Sequence, residues 1–229
     1  MTARAEEVVK KIWVVGGGHL TKAGDCLCYL IDVGDLVLLD CGLGPDWDAL
    51  KDNIASTGHD PTKIHTLLLT HGHIDHVGAA AAVRRDSGCR VVMHQADAWI
   101  LERGDERASA ASWYGMHLPP CPVDEKIEGE RRTLAFSQGN LEVIHTPGHT
   151  PGSVSVLQAT AGRKVLFGQD IHGPFHRDFG SDLAAWRESM MKLLAIEPDV
   201  LCEGHFGQFL PADTASAFIR QQLDEQETR

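Results

Sequence analysis

Basic residues are in short supply. Lysine and arginine total 21 against 32 aspartates and glutamates, a formal charge of −11 with a pI near 5.5. That balance argues against nucleic acid or an anionic membrane surface as a general partner and leaves a small molecule as the expected one. Long apolar runs are missing too. Nothing approaches the roughly 20 residues that span a bilayer. The opening Met1-Thr2-Ala3-Arg4-Ala5-Glu6-Glu7 lacks the apolar stretch of a secretory signal, so a cytoplasmic location is expected. Paired cysteine motifs are also lacking. Cys26 and Cys28 have no second pair to complete a metal site, and Cys41, Cys89, Cys121 and Cys202 are scattered. Without a signal these thiols are not expected to form disulfides and read as small buried hydrophobes. The run Gly16-Gly17-Gly18 has Thr21 where a dinucleotide-binding loop needs its third glycine, so it reads as a tight turn.

Histidine is what the chain has in surplus, 13 among 229 residues. Three of them, with an aspartate, fall in Thr70-His71-Gly72-His73-Ile74-Asp75-His76, directly after the apolar run ending Leu67-Leu68-Leu69. Side chains at i and i+2 of an extended segment point the same way, so His71 and His73 can grip one ion. Asp75 and His76 follow where the chain turns into a helix and are free to aim at a second. Imidazole and carboxylate suit Zn²⁺, with iron or manganese as the other candidates.

The rest reads as one α/β domain over 1–229. Strands are expected at Ile12–Val15, Cys26–Ile31, Leu36–Leu39 and Ile64–Leu69, and again at Arg90–His94, Thr133–Phe136, Leu141–His145, Val154–Leu157, Lys164–Phe167 and Pro198–Cys202. Helices are expected over 46–57, 77–85, 96–103, 182–194 and 212–226. Such alternation, framed by hairpins, suits two sheets covered by helices. Residues 1–10 read as an unstructured polar lead-in. Residues 104–129, rich in glycine and proline and holding Trp113 and Tyr114, read as a long loop that acts as an active-site lid. The loop after Asp170 carries three further candidate substrate contacts, His172, His176 and Arg177.

The seven-residue motif Thr70–His76 is followed in order by three more. His149 lies in T-P-G-H-T-P-G, Asp170 in F-G-Q-D and His205 in C-E-G-H-F-G. Together they resemble the metallo-β-lactamase superfamily, from about Val14 to about Phe209. The resemblance implies the four-layer αβ/βα sandwich of the metallo-β-lactamase fold and, in some members, a homodimer. It implies two divalent ions, one on His71, His73 and His149, the other on Asp75, His76 and His205, with Asp170 between them. Asp40 would support the ligands from behind. Two such ions can share one hydroxide, because zinc lowers the pKa of a bound water from 15.7 to about 7. Asp75 is the catalytic candidate, as a ligand or as the group that orients the water. The reaction implied is hydrolysis of an activated acyl bond in a thioester, lactone or related ester.

Departures from particular branches narrow this. Lactamases with a cysteine on the second metal lack an aspartate equivalent to Asp170. Glyoxalase II-type thioesterases add a helical glutathione-binding region, whereas 24 residues (229 − 205) follow His205 here. Lactonases place a tyrosine three residues after the bridging aspartate, where this chain has Gly173. His172 or His176 would supply that hydrogen bond instead. A second branch, the persulfide dioxygenases, uses one iron on residues equivalent to His71, His149 and Asp170. It carries an Arg/Asp/Phe stretch like Arg177-Asp178-Phe179, in which Arg177 would meet a substrate carboxylate.

Overall fold

The computed structural model describes residues 5–227. In the first half, β1 (Glu6–Val9), β2 (Ile12–Gly16), β3 (Cys28–Asp32) and β4 (Leu36–Leu39) pair antiparallel in succession. To β4 are added, all parallel, β5 (Ile64–Leu68), β6 (Arg90–His94) and β7 (Glu125–Ile127). The second half forms β8 (Arg131–Phe136), β9 (Gly139–His145), β10 (Val154–Thr160), β11 (Arg163–Gln169), β12 (Val200–Glu203) and β13 (Gly207–Phe209). Their spatial order follows the sequence, and only β11 and β12 run parallel.

Alternation along the strands builds the layers. In β3, Cys28 and Leu30 face one core while Tyr29 and Ile31 face another. The second core lies between the sheets, where Tyr29 meets Phe167 edge to face at 5.2 Å. Outside the first sheet pack α1 (Trp47–Ser56), α3 (Ala80–Ser87) and α4 (Gln95–Arg103), which bury Leu50, Ile54, Val83 and Leu101 there. Outside the second pack α5 (Leu183–Leu194) and α6 (Ala212–Glu227), through Trp186, Met190, Leu193 and Ile219. The result is the four-layer αβ/βα sandwich. Asp182 starts α5 by accepting from the amides of Ala184 and Ala185, the role expected of an N-cap.

Four expectations need correction. Residues 1–4 lie outside the described residues, but Glu6–Val9 is a strand; the exposed Glu6 and Glu7 of this sheet edge disguise it. The three-residue strands β7 and β13 are too short to show a period. The helix expected over 77–85 is divided into α2 (Ile74–Val77) and α3. The break falls where the Ala79 amide donates to Gly42 O and where a Cβ on Gly78 would sit 2.1 Å from Leu43 O. Finally, 104–129 is not a plain loop. Ala108, Ala110, Ala111, Leu118 and Cys121 are buried, and the Ile74 amide at the start of α2 donates to Ser109 O.

Candidate metal centre

All the candidate ligands sit at one end of the sandwich, beyond the carboxyl ends of strands. His71 and His73 follow β5, His149 lies between β9 and β10, Asp170 follows β11 and His205 follows β12. Asp75 and His76 occupy α2. Both sheets therefore contribute.

Their side-chain atoms fall into two sets, each within 4.8 Å: His71, His73, His149 and Asp170, and then Asp75, His76, Asp170 and His205. In the first, His73 Nδ1 lies 3.1 Å from His71 Nε2 and 2.8 Å from His149 Nε2, and the last two atoms are 3.3 Å apart. Nitrogens about 2.0–2.1 Å from a tetrahedral ion stand roughly 3.3 Å from one another, so the spacing is that of a ligand set. Asp170 Oδ2 faces His71 and His149 at 3.8 and 3.6 Å. Its Oδ1 faces His76 and His205 in the second set at 3.2 and 3.4 Å. Asp75 Oδ2 completes that set, 3.3 Å from His205 Nε2 and 3.6 Å from His76 Nε2.

Hydrogen bonds fix which nitrogen is presented. Asp40 accepts from His76 Nδ1 at 2.7 Å, and Pro174 O accepts from His149 Nδ1 at 2.8 Å, so each ring turns Nε2 to the centre. Asp40, fully buried, also accepts from the Thr70 amide, from Thr70 Oγ1 and from Gln169 Nε2. Cys26 shares a neighbourhood with Asp40 and His76, but Asp40 is already committed to these donors, and the six thiols are free and buried.

Charge separates the two sets. Burial pushes His73 down to about 3, and burial with the adjoining His73 ring does the same to His149. Burial and the neighbouring His76, His73 and His149 rings hold His71 well below its ordinary value. These three imidazoles are neutral, with lone pairs available. In the second set burial opposes charge on His76 and His205, but Asp170, Asp75 and, for His76, Asp40 outweigh it. His76 is held well above its usual value and His205 near 10. Asp170 is held well below the usual carboxylate range, burial being outweighed by His76 and His205. The imidazoles thus hold protons where a cation would replace them. The donors fit a metal, because buried His76 Nε2 and Asp170 Oδ1 have no hydrogen-bond partner.

Beside the ligands opens a cavity of about 150 Å³ whose wall includes His73, Asp75, Asp170, His172 and His205, and also Trp113 and Tyr114. His172 is held at Nδ1 by Glu203. Two of the expected substrate contacts are not brought in. The Arg177 side chain is 88 % exposed, and His176 stands behind Trp113 with its ring centre 5.3 Å away.

The sequence profile of the metallo-β-lactamase superfamily matches residues 21–205. The chain belongs to the metallo-β-lactamase superfamily. It is a metallo-hydrolase, with His/Asp clusters suited to divalent metal. An uncharacterized protein of Mycobacterium bovis is 32 % identical over 199 residues, 79 % of this chain and 85 % of that one. The hydroxyacylglutathione hydrolase GloC of Haemophilus influenzae is 32 % identical over 110 residues, 47 % of this chain and 50 % of that one. Among solved structures, a metallo-β-lactamase from Cronobacter sakazakii with an HARLDQ motif superposes with a TM-score of 0.84 at 20 % identity, over 99 % of this chain and 97 % of that one. That likeness speaks for the fold alone.

Three supporting residues of this superfamily member went unnoticed in its sequence. Asp97, fully buried in α4, accepts from the Gly72 and Gly152 amides and from Thr150 Oγ1, joining the loops that carry His71, His73 and His149. Glu203 accepts from the amides of His205 and Phe206 as well as from His172. Gln169 braces Asp40. Gln169 and Glu203 lie inside the motifs that carry Asp170 and His205 and could have been picked out on that ground; Asp97 carries no such signal.

Proposed function

We propose that this superfamily member is a binuclear hydrolase of an activated acyl bond, in a thioester, lactone or related ester. His71, His73 and His149 hold one divalent ion, Asp75, His76 and His205 the other, and Asp170 lies between them; Zn²⁺ suits the nitrogen-rich set best. The observation that carries the reading is the division of the Asp170 carboxylate, with one oxygen turned to each cluster. When bound, such ions supply a water of pKa near 7 and polarise a carbonyl oxygen.

The chain's own groups do the rest. Asp75 belongs to the second cluster and also lines the cavity, where its carboxylate orients the attacking water and accepts its proton. His172 is held above its usual pKa, because burial is outweighed by the hydrogen bond to Glu203 together with the charges of Asp170 and Glu203. It therefore keeps a proton to hydrogen-bond the substrate and to pass to a departing thiolate or alkoxide. Residues 104–129 act as a lid, placing Trp113 and Tyr114 at the cavity mouth and limiting water.

A single iron on His71, His149 and Asp170 would leave Asp75, His76 and His205 of the second cluster, and His73 of the first, without a purpose, and Arg177 points to solvent. The binuclear reading accounts for both. Asp170→Ala is expected to reduce bound metal below two ions per chain and to abolish turnover of thioesters and lactones; full activity in that variant would refute it.

A further inference from the structure

The cavity beside the ligands constrains what can be cleaved. Away from the ligands its wall is formed by Ala110, Trp113, Tyr114, Pro174 and Phe179. Phe179 is 3 % exposed and lies edge-on to His73, with ring centres 4.3 Å apart, while Trp113 tilts against it at 4.8 Å. Trp113 and Tyr114 keep 56 % and 43 % of their surface exposed, so aromatic surface is left open on this wall. Open aromatic faces at a concave site favour an apolar ligand group.

Lysine and arginine are the counterpart that is missing, and the protonated imidazoles of the wall, His172 and His205, already face the carboxylates of Glu203, Asp75 and Asp170. Among the described residues of this wall there is no lysine or arginine. The nearby arginines are engaged elsewhere: Arg107 donates to Asp178 at 2.6 Å, and Arg177 extends into solvent. On the other side of His205 lies a larger cleft of about 560 Å³, walled by Val14, Leu27 and Phe206 but also by Glu6 and Asp25. It too has no lysine or arginine among its described residues. A carboxylate entering either space would lose hydration without a guanidinium or ammonium partner, and in the larger cleft would face acids.

We infer, building on the hydrolase reading, that the site takes an uncharged substrate. A compact aryl or alkyl acyl group seats against Trp113 and Phe179, and a leaving group free of carboxylate and phosphate runs past His205 into the larger cleft. Water adds to the acyl carbon, the C–S or C–O bond breaks, and the departing thiolate or alkoxide takes the proton. The products are a carboxylic acid and a neutral thiol or alcohol.

The test compares one acyl group on two carriers. Zinc-loaded protein is given the phenylacetyl thioester of N-acetylcysteamine, which is uncharged, and that of glutathione, which carries two carboxylates. The neutral thioester is expected to win in kcat/KM by on the order of 10²-fold. Trp113→Ala should raise KM for it roughly ten-fold with kcat and metal content retained, and Trp113→Arg should narrow the gap between carriers. Equal or better turnover of the glutathione thioester overturns the inference. Calorimetric titration with the matching non-hydrolysable thioethers separates the two claims. No turnover of either thioester or of lactones at full metal loading defeats the hydrolase reading, while preferential binding of the neutral thioether upholds the inference and equal binding defeats it.

Discussion

Asp40 shows how much of the centre rests on groups that need not touch metal. Its two oxygens take hydrogen bonds from Thr70 twice, from His76 and from Gln169, so one buried carboxylate fixes both the turn after β5 and the ring of His76. Asp40→Ala is expected to weaken metal binding about 10–100-fold, measured by competition with a chromophoric chelator; unchanged affinity would remove Asp40 from the centre. Asp97 supports the loops, so Asp97→Ala should cost about 3 kcal/mol in chemical denaturation, since it strands a buried hydroxyl and two amides. A change within 0.5 kcal/mol, the range of ordinary surface substitutions, would contradict that role. The candidate ligands were legible because they sit in short motifs at strand ends. Asp97 was not, since its partners are amides of loops far away in the chain, a relation that no spacing records.

Strands with a strict two-residue alternation, such as β3 and β4, could be read from sequence. Three of the four edge strands, β1, β7 and β13, could not. β1 shows two exposed glutamates, and β7 and β13 have three residues each. The segment between α4 and β7 misled through its glycines and prolines, although its small residues are buried under the site. Where β6 and β9 end, the two sheets meet through His94 and His145, stacked with centres 4.0 Å apart and planes at 10°. Burial and the neighbouring His145 lower His94 to about 4. The folded state thus binds fewer protons than the unfolded state between pH 6.5 and 4. Stability from this contact is complete above 6.5 and is lost as pH falls through that window, by up to about 1.4 kcal/mol per pH unit. Denaturation of the wild type and His94→Gln across that range should show the slope shrinking in the variant, and an identical slope would count against the stack.

Seen whole, the molecule is two half-sandwiches whose shared end is crossed by both ligand sets. His71 and His73 come from the first sheet, and His149, Asp170 and His205 from the second. Ions held there would tie the halves together and stabilise the folded state by binding it selectively. Stripping metal with a chelator should lower Tm by roughly 10 °C, and re-addition of zinc should restore it; an unchanged Tm would mean that the clusters do not bridge the sheets energetically. The layered plan was visible in the sequence through its alternating strands and helices, whereas the division of Asp170 between two clusters needed three dimensions. That division is tested most directly by elemental analysis of the protein purified without added metal. Two divalent ions per chain, zinc alone or with iron or manganese, is the predicted result. A single iron per chain would contradict the binuclear account.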